Sequence, residues 1–274
     1  MIMILGIDVG NYYTKVSTGI NFISKVENTP GILVNEPIEI NNKTMYLGEG
    51  EFDTEYRKAY KETYLYLLKG AILKASTDKD NKVVIGLPLS QYKRDKEYLI
   101  NKILQSNIVK DVDVQPEGII SAPKEYEGIF IDVGGGTTEI CLIYKEGNKR
   151  KIKQPYSLPK GILNLESEFI NCVNAEYGLD LLPIDADRII KKGLYIYGEQ
   201  KPFTMDIYKD FVEGIVRRIQ LDYSLKTNNL LISGGGAIKL YKAFKKRIPQ
   251  TNIISNSFYA NAIAFEGIGR RIWG

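Results

Sequence analysis

The sequence predicts a two-lobed α/β protein built by internal duplication, on three grounds. The tetrapeptide Ile7-Asp8-Val9-Gly10 recurs as Ile131-Asp132-Val133-Gly134, and each copy closes a short apolar run. Strand-length apolar stretches alternate with stretches whose apolar residues recur at helical spacing. A third glycine-rich turn, Ile232-Ser233-Gly234-Gly235-Gly236-Ala237, lies between a strand-like run and a helix-like one. With 274 residues the chain is long enough for two lobes with cores of their own.

Taken in order, Ile2 to Ile7 reads as a strand, followed by a tight glycine turn and a second strand over Val16-Ser17-Thr18. The same pattern returns with Ile129 to Ile131 and Ile140-Cys141-Leu142-Ile143. Tyr56, Tyr60, Tyr64, Leu67, Leu68, Ala71 and Ile72 predict a helix capped by Asp53 or Thr54. Lys82 to Leu87 is a strand stopped by Pro88, and Leu99, Ile100, Ile103 and Leu104 mark the next helix. A crossover near Ser121 to Glu127 joins the lobes. Beyond it come helices over Gly161 to Tyr177, Asp185 to Lys192, and along Ile207, Phe211, Ile215 and Ile219. A strand at Leu230 to Ser233, a helix through Leu240, Tyr241 and Phe244, and a last helix from about Tyr259 to Arg270 complete the pattern.

Composition removes several chemistries. There is no histidine, which excludes Ser-His-Asp triads, His acid–base catalysis and His metal sites. Cys141 and Cys172 stand apart, so neither a disulfide framework nor a zinc site is expected, and a reducing cytoplasm is the natural compartment. The apolar N-terminus ends at Asp8, and no stretch reaches about 18 apolar residues, the rough length that spans a membrane. The net charge of +4 is too mild to imply a coat of nucleic acid.

The glycine turns carry the chemistry. A glycine-rich turn exposes successive backbone N–H groups and admits a phosphate without a Cβ in the way. An aspartate at the strand end is repelled by phosphate but can hold Mg²⁺ through water, and the cation then bridges phosphate oxygens. Two such turns facing each other would clamp a triphosphate, with Asp8 and Asp132 around one metal. Lys15 can reach the β- and γ-oxygens from the outgoing strand, and Thr14, Thr137 and Thr138 offer hydroxyls. The Gly234-Gly235-Gly236-Ala237 turn makes a flat helix N-terminus on which a nucleoside and α-phosphate can lie. No GxxxxGK[ST] loop is present, and no GxGxxG follows a strand.

The three elements, in this order, resemble the phosphate-1, phosphate-2 and adenosine motifs of the actin fold, which actins, sugar kinases and seventy-kilodalton heat-shock chaperones share. Gly86-Leu87-Pro88, Gln115-Pro116-Glu117-Gly118 and Phe258-Tyr259-Ala260-Asn261-Ala262 narrow the likeness to plasmid-segregation actins of the ParM type, closest to AlfA of Bacillus plasmids. The resemblance implies an actin-like, ribonuclease H-like duplicated fold around a nucleotide cleft. Lobe I is residues 1–125, with a C-terminal helix at 257–274 packing back on it; lobe II is 126–256. Between the lobe II helices only Leu179 to Met205 is left for subdomain IIB, so that subdomain is reduced or absent. The implied cofactors are ATP or ADP with Mg²⁺, with GTP also possible. The implied binding residues are Gly10, Asn11, Tyr12, Tyr13, Thr14 and Lys15 in the first turn, and Gly134, Gly135, Gly136, Thr137 and Thr138 in the second. Gly161, Gly234, Gly235, Gly236, Ala237 and Lys239 complete the set. Arg188 and Lys192 (with Lys191) can approach the nucleoside from the remnant of IIB, or simply form a solvated basic helix end. The resemblance implies that Glu117, in the Pro-Glu pair before the second phosphate motif, orients the water, with Asp8 and Asp132 as the other catalytic residues; an exposed loop glutamate is the plain alternative.

The implied function is a filament-forming ATPase that segregates plasmid DNA through a DNA-bound adaptor, with no direct sequence-specific DNA binding and no membrane association. An actin-fold small-molecule kinase and a non-hydrolysing scaffold are the alternatives. The basic runs Lys145, Lys149, Arg150, Lys151, Lys153 (around a Gly147-Asn148 turn) and Lys239, Lys242, Lys245, Lys246, Arg247 read as solvated faces before DNA sites, and can also serve filament contacts.

Overall fold

The computed structural model describes residues 3–31, 36–77, 80–147 and 149–274. In the first half, β1 (Ile4–Val9), β2 (Tyr13–Val16) and β3 (Asn21–Ile23) form an antiparallel meander. A small sheet follows from β4 (Lys25–Glu27), β5 (Pro37–Ile40) and β6 (Lys43–Phe52), in the order β4-β6-β5. Then come α1 (Tyr64–Ala75), β7 (Lys82–Leu87), α2 (Leu89–Gln105) and β8 (Asp111–Pro116). The main sheet runs β3-β2-β1-β7-β8, with β7 and β8 parallel to β1.

The second half repeats the plan with β9 (Gly128–Val133), β10 (Thr138–Glu146), β11 (Lys149–Leu158), α3 (Ile162–Tyr177), α4 (Asp185–Lys192), β12 (Leu194–Ile196), β13 (Glu199–Lys201), α5 (Asp206–Asp222), β14 (Leu230–Ser233), α6 (Gly235–Arg247), β15 (Thr251–Ile253) and α7 (Ala260–Trp273). Its sheet runs β11-β10-β9-β14-β15, again with two antiparallel strands on one side of the first strand and two parallel ones on the other. The repeated tetrapeptide therefore marks a repeated sheet. In both copies it ends the central strand, where parallel sheets leave a crevice at the carboxyl ends of the strands.

Each sheet has its own core. Leu5, Ile7, Val83, Ile85 and Leu87 pack with Leu67, Leu68 and Ile72 of α1 and Leu99 and Ile103 of α2. In the second sheet Ile129 and Ile131 of β9 and Leu230 and Ile232 of β14 pack with Leu165, Phe169, Ile215 and Phe244 from the surrounding helices. Helix α7 returns to the first sheet. A Cβ on Gly6 would collide with the Ala262 carbonyl oxygen and the Glu266 nitrogen, so β1 is glycine where the helix backbone crosses it. Between α3 and α5 only α4 and the β12–β13 hairpin intervene.

The structure differs from the sequence expectations at identifiable points. The helix expected from residue 54 begins at Tyr64, with only a single 3₁₀ turn, Lys58–Tyr60, before it. The Asp53 carboxylate accepts hydrogen bonds from the Glu55 N–H (3.0 Å) and the Thr63 hydroxyl (3.0 Å), which closes a loop instead of capping a helix. The second strand is Tyr13–Val16, because a turn at Gly19 (φ +93°) removes Ser17 and Thr18 from it. Helix α6 starts inside the glycine run, at Gly235. Ile2 and Asn148 lie outside the described residues.

Candidate functional site

The two aspartate-ended turns are built alike. The Gly10 N–H donates to the Tyr13 carbonyl at 3.1 Å and the Gly134 N–H to the Thr137 carbonyl at 2.9 Å. They also meet: a Cβ on Gly135 would lie 2.9 Å from Tyr12 Cβ, and one on Gly136 would lie 2.5 Å from Asn11 Nδ2. The second turn is held from below by α3, whose Ile162 and Leu163 N–H groups donate to the Gly134 and Gly135 carbonyls at 3.0 and 2.9 Å. Gly161 packs under that turn, since a Cβ there would lie 2.5 Å from the Gly135 oxygen; it is a support and not a cleft residue. Gly234 (φ +90°) abuts the Val133 carbonyl and brings the α6 N-terminus to the same place.

Together these parts line a cleft of about 870 Å³. Asp8, Gly10, Asn11, Tyr12, Tyr13, Lys15, Glu117, Asp132, Gly134, Gly135, Gly136, Thr137, Gly234, Gly235, Gly236 and Lys239 all line it. Thr14 and Thr138 do not. Strand alternation turns them inward, where Thr14 Oγ1 lies 3.0 Å from Ser24 Oγ and the Thr138 hydroxyl donates to the Lys160 carbonyl at 2.9 Å. Ala237 is buried in the second core. Arg188 and Lys192 are not among the lining residues; α4 turns Asp187, Ile190 and Lys191 toward the cleft, and Arg188 pairs with Asp185 at 2.9 Å. Lys239 is held by Glu166 and, at 3.1 Å, by Asp187.

Alternating charge organises the floor. Lys15 Nζ lies 2.8 Å from Asp8 Oδ2, and Lys58 Nζ bridges Asp8 Oδ1 (3.8 Å) and Glu117 Oε1. Burial would raise the Asp8 carboxyl, but Lys15 and Lys58 outweigh it and hold it below the ordinary aspartate range. Asp132 lacks so close a cation, and burial pushes it up to about 6. Burial, reinforced by Asp8 and Asp132 and opposed by Lys58, pushes Glu117 up to about 7. Glu139, opposite Asp132 across the β9–β10 hairpin, is likewise pushed by burial to about 7.

The residues fit a magnesium–phosphate group on their own geometry. Asp132 Oδ1 is buried without a hydrogen-bond partner, beside Gly234, where a Cβ would lie 2.7 Å from it, and in the cleft that Gly134 to Gly136 also line. Among the described residues no three acidic, Cys or His side chains converge on one metal position. Two carboxylates with water and phosphate oxygens are the usual magnesium environment.

Three buried polar residues of the site are not evident from the sequence. Lys58 lies in the tyrosine-rich segment whose spacing predicts a helix, where a lysine between exposed positions reads as solvated. Asn261 accepts the Gly118 N–H at 2.9 Å and approaches Asp132 Oδ2 at 3.4 Å, tying α7 to the cleft; its motif is visible in the sequence, its role is not. Glu139 sits among apolar strand residues, and its facing of Asp132 follows only from the hairpin register. The basic runs are largely engaged: Lys145 pairs with Glu125, Arg150 donates to the Ala122 carbonyl at 2.9 Å, Lys245 to the Thr251 carbonyl at 2.9 Å, and Arg247 to Glu213 at 2.8 Å.

The overall arrangement of the two duplicated sheets is similar to that of known structures. Ta0583, an archaeal actin homolog, superimposes with a TM-score of 0.79 over 98% of this chain and 100% of its own, at 18% identity. The chain has the actin fold. A 15-stranded ParM filament subunit from Clostridium botulinum matches with a TM-score of 0.75 over 99% of this chain and 100% of that one, at 18% identity. MreB5 of Spiroplasma citri, solved bound to ADP, matches at 0.71 with 16% identity and 98% of each chain covered. Residues 6–122 match the family model for the N-terminal domain of actin-like proteins. No curated protein sequence matches the chain. The actin-fold expectation therefore holds, whereas nothing in these likenesses is specific to AlfA. Among the described residues no helix is long and apolar enough to cross a membrane.

Proposed function

We propose that this chain is an actin-like ATPase that binds ATP or ADP with Mg²⁺, assembles head to tail into filaments, and moves plasmid DNA through a DNA-bound adaptor. GTP is a further nucleotide the site can take. The observation that carries the reading is the meeting of two aspartate-ended glycine turns, from two copies of one sheet, at the mouth of a third glycine turn. In this reading lobe I is residues 1–125 with 257–274, lobe II is 126–256, and the nucleotide lies between them. A filament built by one actin-fold relative and the ADP complex of another support it by analogy.

The residues divide the work. N–H groups of the first two turns and Lys15 receive the β- and γ-phosphates, and the α6 N-terminus receives the nucleoside end. Asp8 and Asp132 are the residues that would hold Mg²⁺, which would supply positive charge to offset that of the phosphates. Glu117 orients the attacking water. The water oxygen bonds to the γ-phosphorus, the bond to the β–γ bridging oxygen breaks with its electron pair left on ADP, and the water proton passes by way of Glu117 to the released phosphate. A head-to-tail contact uses two different surfaces and does not close, so it propagates a filament.

Electron microscopy and pelleting of the purified chain with Mg-ATP, alongside phosphate release, test the reading. Filaments formed with ATP and consumed as phosphate appears are expected. A chain that stays monomeric at tens of micromolar while phosphorylating small metabolites would instead be an actin-fold kinase.

A further inference from the structure

Lys58 is a cation held with unusual care. Its side chain is only 5% exposed, and its ammonium contacts Glu117 on one side and Asp8 on the other. It stands on a 3₁₀ turn with few backbone hydrogen bonds of its own, yet α2 fastens the flanking segment at successive turns. Gln91 accepts the Lys58 N–H at 2.9 Å and donates to the Tyr56 carbonyl at 2.9 Å. Asp95, fully buried, takes the Arg57 guanidinium, and Lys102 donates to the Ala59 and Lys61 carbonyls at 2.9 and 3.0 Å. A loop tied this closely fixes the lysine that reaches from it to the cleft floor.

Glu117 is fixed from the opposite side. Its N–H donates to the Leu87 carbonyl at 2.8 Å, and its side chain lies over Gly86, where a Cβ would come within 2.5 Å of Cγ and 2.9 Å of Oε1. Lys58 engages Oε1; no other side chain among the described residues hydrogen-bonds the carboxylate, and Glu117 lines the cleft. A buried ion pair is seldom a net source of stability, so this much support for one calls for another explanation.

We propose that Lys58 is the positioning residue for Glu117: its ammonium grips one carboxylate oxygen and leaves the other free to accept a hydrogen bond from the attacking water. The inference rests on the ATPase reading above. Lys58 thus serves the chemical step, whereas Lys15, paired with Asp8 on the outgoing strand, serves nucleotide binding. Removing Lys58 frees the Glu117 carboxylate to rotate over Gly86, and the water loses its alignment.

Steady-state phosphate release by the full chain, measured against Mg-ATP concentration at fixed protein concentration, tests this. Lys58→Met is expected to lower kcat by about 10–100-fold with KM changed by less than about threefold. Lys58→Arg is expected to recover most of the rate, since it restores a cation to Oε1. In a Glu117→Gln background, Lys58→Met should add nothing further, because both act on one water. Unchanged kcat in Lys58→Met, or an undiminished effect in the Glu117→Gln background, overturns the proposal. If thermal unfolding shows Lys58→Met to be misfolded, Lys58→Gln and Lys58→Arg complete the same cycle. A wild-type chain that binds Mg-ATP and releases no phosphate overturns the ATPase reading itself, a result visible before any variant is compared.

Discussion

Lys15 and Glu139 occupy the same place in two copies of one hairpin. Lys15 stands opposite Asp8 across β1–β2, and Glu139 stands opposite Asp132 across β9–β10. The duplication kept the aspartate and reversed its partner. One half of the cleft floor is therefore a satisfied ion pair and the other is two carboxyls sharing little but burial. The two halves should accordingly respond to mutation in opposite ways.

Asp132→Ala should abolish Mg²⁺-dependent nucleotide binding while leaving the fold intact. Its Oδ1 has no hydrogen-bond partner among the described residues and its Oδ2 only the long 3.4 Å contact from Asn261, so removing the carboxylate relieves a buried charge at the cost of one weak hydrogen bond. Calorimetric titration with Mg-ATP should show affinity down by more than about tenfold, an effect of ~1.4 kcal/mol or more. The thermal midpoint without nucleotide should be unchanged or higher. Normal Mg-ATP affinity would remove Asp132 from the site.

Lys15→Met should behave in the opposite sense. It strips Asp8 of its nearest cation and leaves Lys58 at 3.8 Å, so the apo protein should lose about 3 kcal/mol near neutral pH. Adding Asp8→Asn should restore most of that loss. Urea unfolding of the two variants decides it; equal stabilities would mean that the Asp8 carboxylate left without Lys15 costs the fold nothing.

Glu139→Gln should stabilise the protein in a pH-dependent way. The folded-state carboxyl titrates near 7, above its ordinary value, so the folded form holds a proton that the unfolded form has released. That contribution is complete below about pH 4 and is lost as pH rises through 7. Glutamine keeps a hydrogen bond with Ser157, now 2.8 Å from Oε1, without the ionisation. Urea unfolding should show a gain of ~1–2 kcal/mol at about pH 8 that vanishes near about pH 4.5. A gain independent of pH would assign the effect to packing.

Gly6→Ala should destabilise by ~3 kcal/mol or more, because the new methyl meets the backbone of α7, which cannot rotate aside. A thermal midpoint indistinguishable from that of the parent would mean that α7 is free to leave β1.

Much of this molecule is legible in its sequence, for reasons that are local. Pro88 stops β7, Gly178 (φ +65°) stops α3 and Gly193 stops α4 at the residues expected, since each is a backbone requirement written in one residue type. The aspartate turns are legible because they occur twice. Contacts between distant segments are less so. Lys58 reaches Glu117 across 59 positions and Asn261 reaches Asp132 across 129, and neither spacing leaves a periodic trace. The inward turn of Thr14 and Thr138 depends on knowing which face of β2 and β10 is covered, and Tyr56 and Tyr60 keep helical spacing with Tyr64 although Asp53 closes their segment into a loop before α1.

Helix α7 is synthesised long after the strand it rests on. Until residues 260–273 have left the ribosome, the first sheet presents its bare Gly6 face, with Ile4 and Val84 uncovered at the seat of Gly269. The first core needs no residue of α7 and can condense without it, but the cleft acquires Asn261 only once α7 has formed. A chain stopped short of that helix would keep both sheets yet lack the amide that holds Gly118 and reaches Asp132 at the cleft.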